Sequence, residues 1–89
     1  MKERNEYFAS VFSAELNHWK QLTGKTQSEF AEITRIHPNS ISRYKKGDAF
    51  PTPPVLAVIC ETLNVEESIF YPNTPHDLIK YDPAFRQAI

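Results

Sequence analysis

The chain has 89 residues, 40% of them hydrophobic and 24% charged, with a formal net charge of −1. That composition suits one small domain with a single core, and a charge so close to zero argues against a non-specific polyanion binder. No apolar run approaches the roughly 18–20 residues of a membrane span, the polar start Met1-Lys2-Glu3-Arg4-Asn5-Glu6 lacks the apolar stretch of a signal peptide, and the single cysteine, Cys60, excludes an intrachain disulfide and a thiolate metal cluster, so a cytoplasmic protein held together by packing is expected.

The first segment reads as a helix from about Glu6 to Thr23. Phe8, Phe12, Leu16, Trp19 and Leu22 recur at helical spacing, and Val11 widens the stripe. Gly24 is suited to stop it. Thr26 then stands as an N-cap with Glu29 three residues on, the capping-box arrangement. Phe30, Ala31 and Ile33 supply the apolar face of a short second helix, Gln27 to Thr34. Arg35-Ile36-His37 is long enough only for a turn. Pro38 fits the first position of a third helix, with His37 held extended before it, and Gly47 closes that helix. A loop with Pro51, Pro53 and Pro54 follows. Thr52 is placed to cap a fourth helix whose buried face is Val55, Leu56, Ile59, Cys60 and Leu63. Ile69-Phe70 reads as a short fifth helix, with Glu66 and Glu67 at its positive end. In the tail, Thr74-Pro75 and Asp82-Pro83 are candidate helix starts, and Leu78, Ile79, Tyr81, Phe85 and Ile89 need cover. Almost nothing reads as a strand.

The charge is unevenly spread. Residues 25–46 hold Lys25, Arg35, Arg43, Lys45 and Lys46 against Glu29 and Glu32, a local net of +3, whereas residues 61–89 sum to −3. The basic stretch coincides with helix–tight turn–helix across residues 26–47. The third helix carries Asn39, Ser40, Ser42 and Arg43 on one face and Ile41 and Tyr44 on the other. A helix that enters a major groove needs exposed polar side chains in its first turns and an apolar back that holds it to the body. Both conditions are met.

These residues resemble a known family. Gln27-Ser28-Glu29-Phe30-Ala31-Glu32-Ile33, then Ile36-His37-Pro38-Asn39-Ser40-Ile41-Ser42-Arg43-Tyr44-Lys45-Lys46-Gly47, then Pro51 and the run Leu56 to Val65 are similar to the helix-turn-helix family of lambda-type repressors and Cro proteins, the Xre family. The resemblance spans roughly residues 10–70. It implies an all-α, five-helix DNA-binding domain over residues 1–72, with residues 73–89 as a C-terminal extension for dimerisation or packing. It also implies a homodimer on double-stranded DNA with a pseudo-palindromic operator.

By matching position, Gln27 stands where the family anchors a backbone phosphate, with Ser28 beside it. His37, Pro38, Asn39 and Arg43 fall where the family reads bases. Ser40 and Ser42 fall at phosphate or base positions, and equally suit exposed helix surface. Lys45 and Lys46 lie toward the flanking backbone, and Lys46 is expected to contact the DNA. Asn pairs bidentately with adenine and Arg with guanine, which suits Asn39 and Arg43 to the reading role.

The chain also departs from the pattern. The family commonly has Gly in the turn where Arg35 stands, so Arg35 must accept a strained conformation or bend the turn differently. An acidic residue is common where Lys45 stands. Asp48, Ala49 and Phe50 replace basic residues after the closing Gly.

No Gly-rich phosphate loop and no paired carboxylates in an apolar setting are present, and nothing orders a Ser-His-Asp set, so no enzyme activity is expected. His18 and His76 are lone histidines, and no metal, cofactor or small-molecule ligand is expected. The expectation is a sequence-specific, repressor- or Cro-like transcriptional regulator of prophage, plasmid or bacterial origin. The alternative is a protein-interaction module on the same fold, an antirepressor or antitoxin-like partner, suggested by the net acidity and the acidic, apolar tail. The two differ in salt-sensitive DNA affinity.

Overall fold

The computed structural model describes residues 2–71. Its elements are α1 (Lys2–Thr23), α2 (Gln27–Thr34), α3 (Pro38–Lys46), α4 (Pro53–Leu63) and a 3-10 turn at Glu67–Phe70. No strand occurs among the described residues, in keeping with the all-α expectation. The expected fifth helix is only this four-residue 3-10 turn, closed by Ile69 N–H to Glu66 C=O at 3.3 Å and Tyr71 N–H to Ser68 C=O at 3.2 Å. Extended backbone at Glu66 and at Tyr71 brackets the segment, and both bonds span three residues, the 3-10 pattern. At the other end α1 begins at Lys2 rather than near Glu6. Lys, Glu and Arg are good helix formers and prolong the helix ahead of its apolar stripe. The candidate helices at Thr74 and Asp82, the apolar tail residues Leu78, Ile79, Tyr81, Phe85 and Ile89, and the extension 73–89 lie outside the described residues.

The core is an aromatic cluster built on α1. The Phe8 ring stacks on Phe12 (centroids 5.5 Å, interplanar angle 19°), lies 4.8 Å from Phe70 and 5.0 Å from Phe50, and meets Tyr44 edge-on at 6.1 Å. Phe30 of α2 continues the chain of rings between Phe12 (6.0 Å) and Trp19 (5.2 Å, 77°). Leu16, Ile41, Leu56 and Ile59 close the spaces between the rings, all fully buried. Each such side chain contributes roughly 1.5–3 kcal/mol by leaving water. Phe50, in the proline-containing loop, ties that loop to the body through Phe8 and Tyr71.

The burial pattern departs from hydropathy at several places, and Val55, expected on the buried face of α4, is only half-buried. Leu22 is 72% exposed and Ile33 is 51% exposed, although each continues an apolar stripe. Leu22 sits in the last turn of α1, beyond Trp19, the last buried residue of that helix. In α2 the inward positions are Phe30, Ala31 and Thr34. Thr34 is buried because its hydroxyl donates to Phe30 C=O at 2.8 Å, which satisfies the polar group locally. Glu15 is 1% exposed, buried within the α1 stripe.

Candidate nucleic-acid interface

The start of α2 is fixed by a complete capping box. Thr26 Oγ1 accepts the Glu29 N–H at 3.1 Å, and Glu29 Oε1 accepts the Thr26 N–H at 3.0 Å. This sets Gln27 and Ser28 at the first two helical positions, where backbone amides lack intrahelical acceptors and the helix end is positive.

The turn into α3 runs through Arg35, which adopts the left-handed conformation (φ 59°, ψ 31°) and donates its N–H to Ala31 C=O. Of the two alternatives open to an Arg there, the chain takes the strained one, at a cost of roughly 1–2 kcal/mol for an L-residue with a Cβ. Ile36, buried, pins the turn, and its N–H reaches Ala31 C=O at 3.2 Å.

His37 is the N-cap of α3 and Pro38 its first residue. The cap is made by the imidazole, whose Nδ1 accepts the Asn39 N–H at 3.0 Å. An acceptor nitrogen carries no proton, so in the neutral ring Nε2 is the N–H donor, on an exposed residue. Gly47 ends α3 at φ 81°, with Gly47 N–H to Tyr44 C=O at 3.3 Å and Asp48 N–H to Arg43 C=O at 2.9 Å.

Two side chains hold α3 to the body. Ile41 and Tyr44 are buried, and Tyr44 meets Phe8 and Phe12 edge-on. Burial pushes the Tyr44 phenol above its ordinary pKa, while the neighbouring Arg43 charge works the other way. Tyr44 is thereby a packing residue and not a stacking platform.

With these two side chains inward, rotation by about 100° per residue puts Asn39, Arg43 and Lys46 on the outermost stripe. All three are exposed. Ser42 lies beside that stripe and Ser40 on the flank away from α2, both half-buried. Pro38 and Lys45 lie on the flank toward α2, one at each end of the helix.

The two helices meet at two points along that flank. Ser28, Ala31, Glu32, Arg35, Ile36, His37 and Pro38 line a shallow hollow of about 380 Å³. Farther along α3, Lys45 Nζ donates to Gln27 Oε1 at 2.8 Å. Sequence reading placed Lys45 only near the flanking backbone and missed this partnership. Helical spacing puts Lys45 on the same side as Pro38, seven residues before it, but does not say which residue of α2 it meets. The capping role of the His37 ring was missed as well.

No group of three His, Cys, Asp or Glu side chains is placed to hold a metal ion among the described residues. Cys60 is buried in α4, and burial, with the nearby Glu67 charge adding, pushes its thiol up to about 11. It is therefore protonated at neutral pH and a poor nucleophile.

Two helices joined by a tight turn, the second pinned by its apolar back and presenting a polar stripe, define a helix-turn-helix protein. A helix-turn-helix family model matches residues 20–70, more than half of the chain. The chain belongs to that family, of the lambda-repressor (Xre) type, and is by class a DNA-binding transcriptional regulator. No curated protein and no solved structure matches the chain. No helix among the described residues is long and apolar enough to cross a membrane.

Proposed function

We propose that the chain is a Cro- or repressor-like regulator that binds a pseudo-palindromic operator as a homodimer, with α3 in the major groove. The observation that carries this reading is the hydrogen-bond polarity of the α2–α3 face. Gln27 has its carbonyl oxygen occupied by Lys45, so it offers its Nε2 hydrogens. His37 has Nδ1 occupied by the Asn39 amide, so its neutral ring offers Nε2–H. Arg43 and Lys46 are donors only. Such a face fits phosphate oxygens and the acceptor edges of guanine.

On this reading Gln27 and Ser28, with the α2 amides, hold one backbone phosphate, and Lys46 holds another. Asn39 and Arg43 read base edges. His37 donates to a base or phosphate at the groove wall, and Ser42 supports the reading stripe. Pro38 brings only its ring to the interface, as a contact surface beside the hollow. Ser40, on the far flank, contacts a phosphate. Residues 1–72 form the binding domain, and residues 73–89 form the extension that pairs two copies or packs against the domain.

The test is selection of bound duplexes from a random DNA pool at about 50 and 200 mM salt, a range over which phosphate contacts lose affinity steeply. The expected result is a motif with two half-sites about 34 Å apart, one helical turn. Absence of enrichment at both salt concentrations would reject the reading and favour a protein partner.

A further inference from the structure

We propose that Lys45 is a positioning residue that sets the polarity of the Gln27 side chain for phosphate binding. This rests on the reading of Gln27 as a phosphate contact. The two residues are 18 apart in sequence and on different helices, and Lys45 Nζ donates to Gln27 Oε1 at 2.8 Å. A glutamine amide has two ends of opposite character, and a phosphate can be bound only by its NH₂ end. An ammonium group has three donors and no acceptor, so it can pair only with the amide oxygen. With the oxygen held by Lys45, the NH₂ end is left to donate at the start of α2, where the Gln27 and Ser28 amides have no intrahelical acceptor. The same contact brings the Lys45 charge to the edge of the site without committing Lys45 to the DNA.

Residue chemistry makes the arrangement directional. In this chain an acidic side chain at position 45 would remove the donor that holds the Gln27 oxygen and add a negative charge near the phosphate. Lys45→Glu should therefore be worse than simple loss of the contact. Lys45→Arg retains donors only and should preserve binding. Gln27→Glu keeps a partner for Lys45 but presents a carboxylate oxygen to the phosphate, so it should bind more weakly than Gln27→Ala.

The experiment is a double-mutant cycle on the duplex selected by the wild-type protein, with affinity measured by fluorescence anisotropy at about 200 mM salt and thermal stability recorded for every variant. Lys45→Met should weaken binding of the wild-type protein roughly tenfold, equivalent to about 1.4 kcal/mol. In the Gln27→Ala background the same change should cost only about twofold, the share that comes from removing one positive charge near DNA. Melting temperatures should stay together, because both residues are on the solvent side. An equal loss in both backgrounds would mean that Lys45 meets phosphate by itself and would overturn the proposal, as would an unchanged affinity of Lys45→Met. A wild-type protein that selects no duplex would overturn the DNA reading as well, so the two failures are distinguishable.

Discussion

Helices α3 and α4 are of similar length, 9 and 11 residues, and are held in place by different means. Helix α4 buries Leu56, Ile59, Cys60 and Leu63 and makes no side-chain hydrogen bond at its N-cap, Thr52. Helix α3 buries only Ile41 and Tyr44, because its other faces are turned outward. Its start is held by the His37 ring, and the helix before it by the Thr26–Glu29 box. A helix that keeps its surface for a partner forgoes burial on that surface, and local bonds at its ends supply the missing constraint. A helix that serves only the core can leave its cap to solvent.

The comparison can be broken most severely at the ring on which the aromatic core is centred. Phe8 touches Phe12, Phe50, Phe70 and Tyr44, so Phe8→Ala should destabilise the domain by about 3–5 kcal/mol. Urea denaturation would show it, and DNA binding should be lost together with folding. Next come the two threonine caps, which should differ in a direct contrast. Thr26→Ala should cost about 1 kcal/mol, since it removes the acceptor of the Glu29 amide. Thr52→Ala should stay within about 0.5 kcal/mol, the range of ordinary surface changes. Equal losses in thermal melts would contradict the division between capped and packed helices.

A smaller effect sharpens the same division at the turn. Arg35 holds a left-handed conformation that glycine adopts without a Cβ penalty. Arg35→Gly should raise stability by up to about 1 kcal/mol, the relieved strain less the extra chain entropy glycine brings to the unfolded state. A loss of stability in that variant would show that the Arg35 side chain makes a compensating contact.

Much of the body was legible in the sequence because its signals are local and periodic. Phe8, Phe12, Leu16 and Trp19 announce the buried face of α1, Thr26 and Glu29 announce the α2 cap, and Pro38 and Gly47 bracket α3. Leu22 and Ile33 misled because periodicity cannot say where a neighbouring helix ends. Thr34 and Glu15 were invisible to hydropathy, since their burial depends on partners and not on apolar surface. The site was legible as a set of residue types on one stripe. Its hydrogen-bond polarity was not, because it is decided by two contacts, His37 to the Asn39 amide and Lys45 to Gln27, that exist only once the backbone has turned.

The central claim is that the outer stripe of α3 reads sequence while its neighbours grip the backbone. The direct test compares Arg43→Ala and Lys46→Ala on the selected duplex and on a panel of its single-base-pair variants across a salt series. Arg43→Ala should cost about 1–3 kcal/mol and relax preference at one base pair, whereas Lys46→Ala should weaken all duplexes alike and reduce the salt slope by about 1. Arg43→Ala binding the selected duplex with wild-type affinity and unchanged base preference at matched salt would contradict the account.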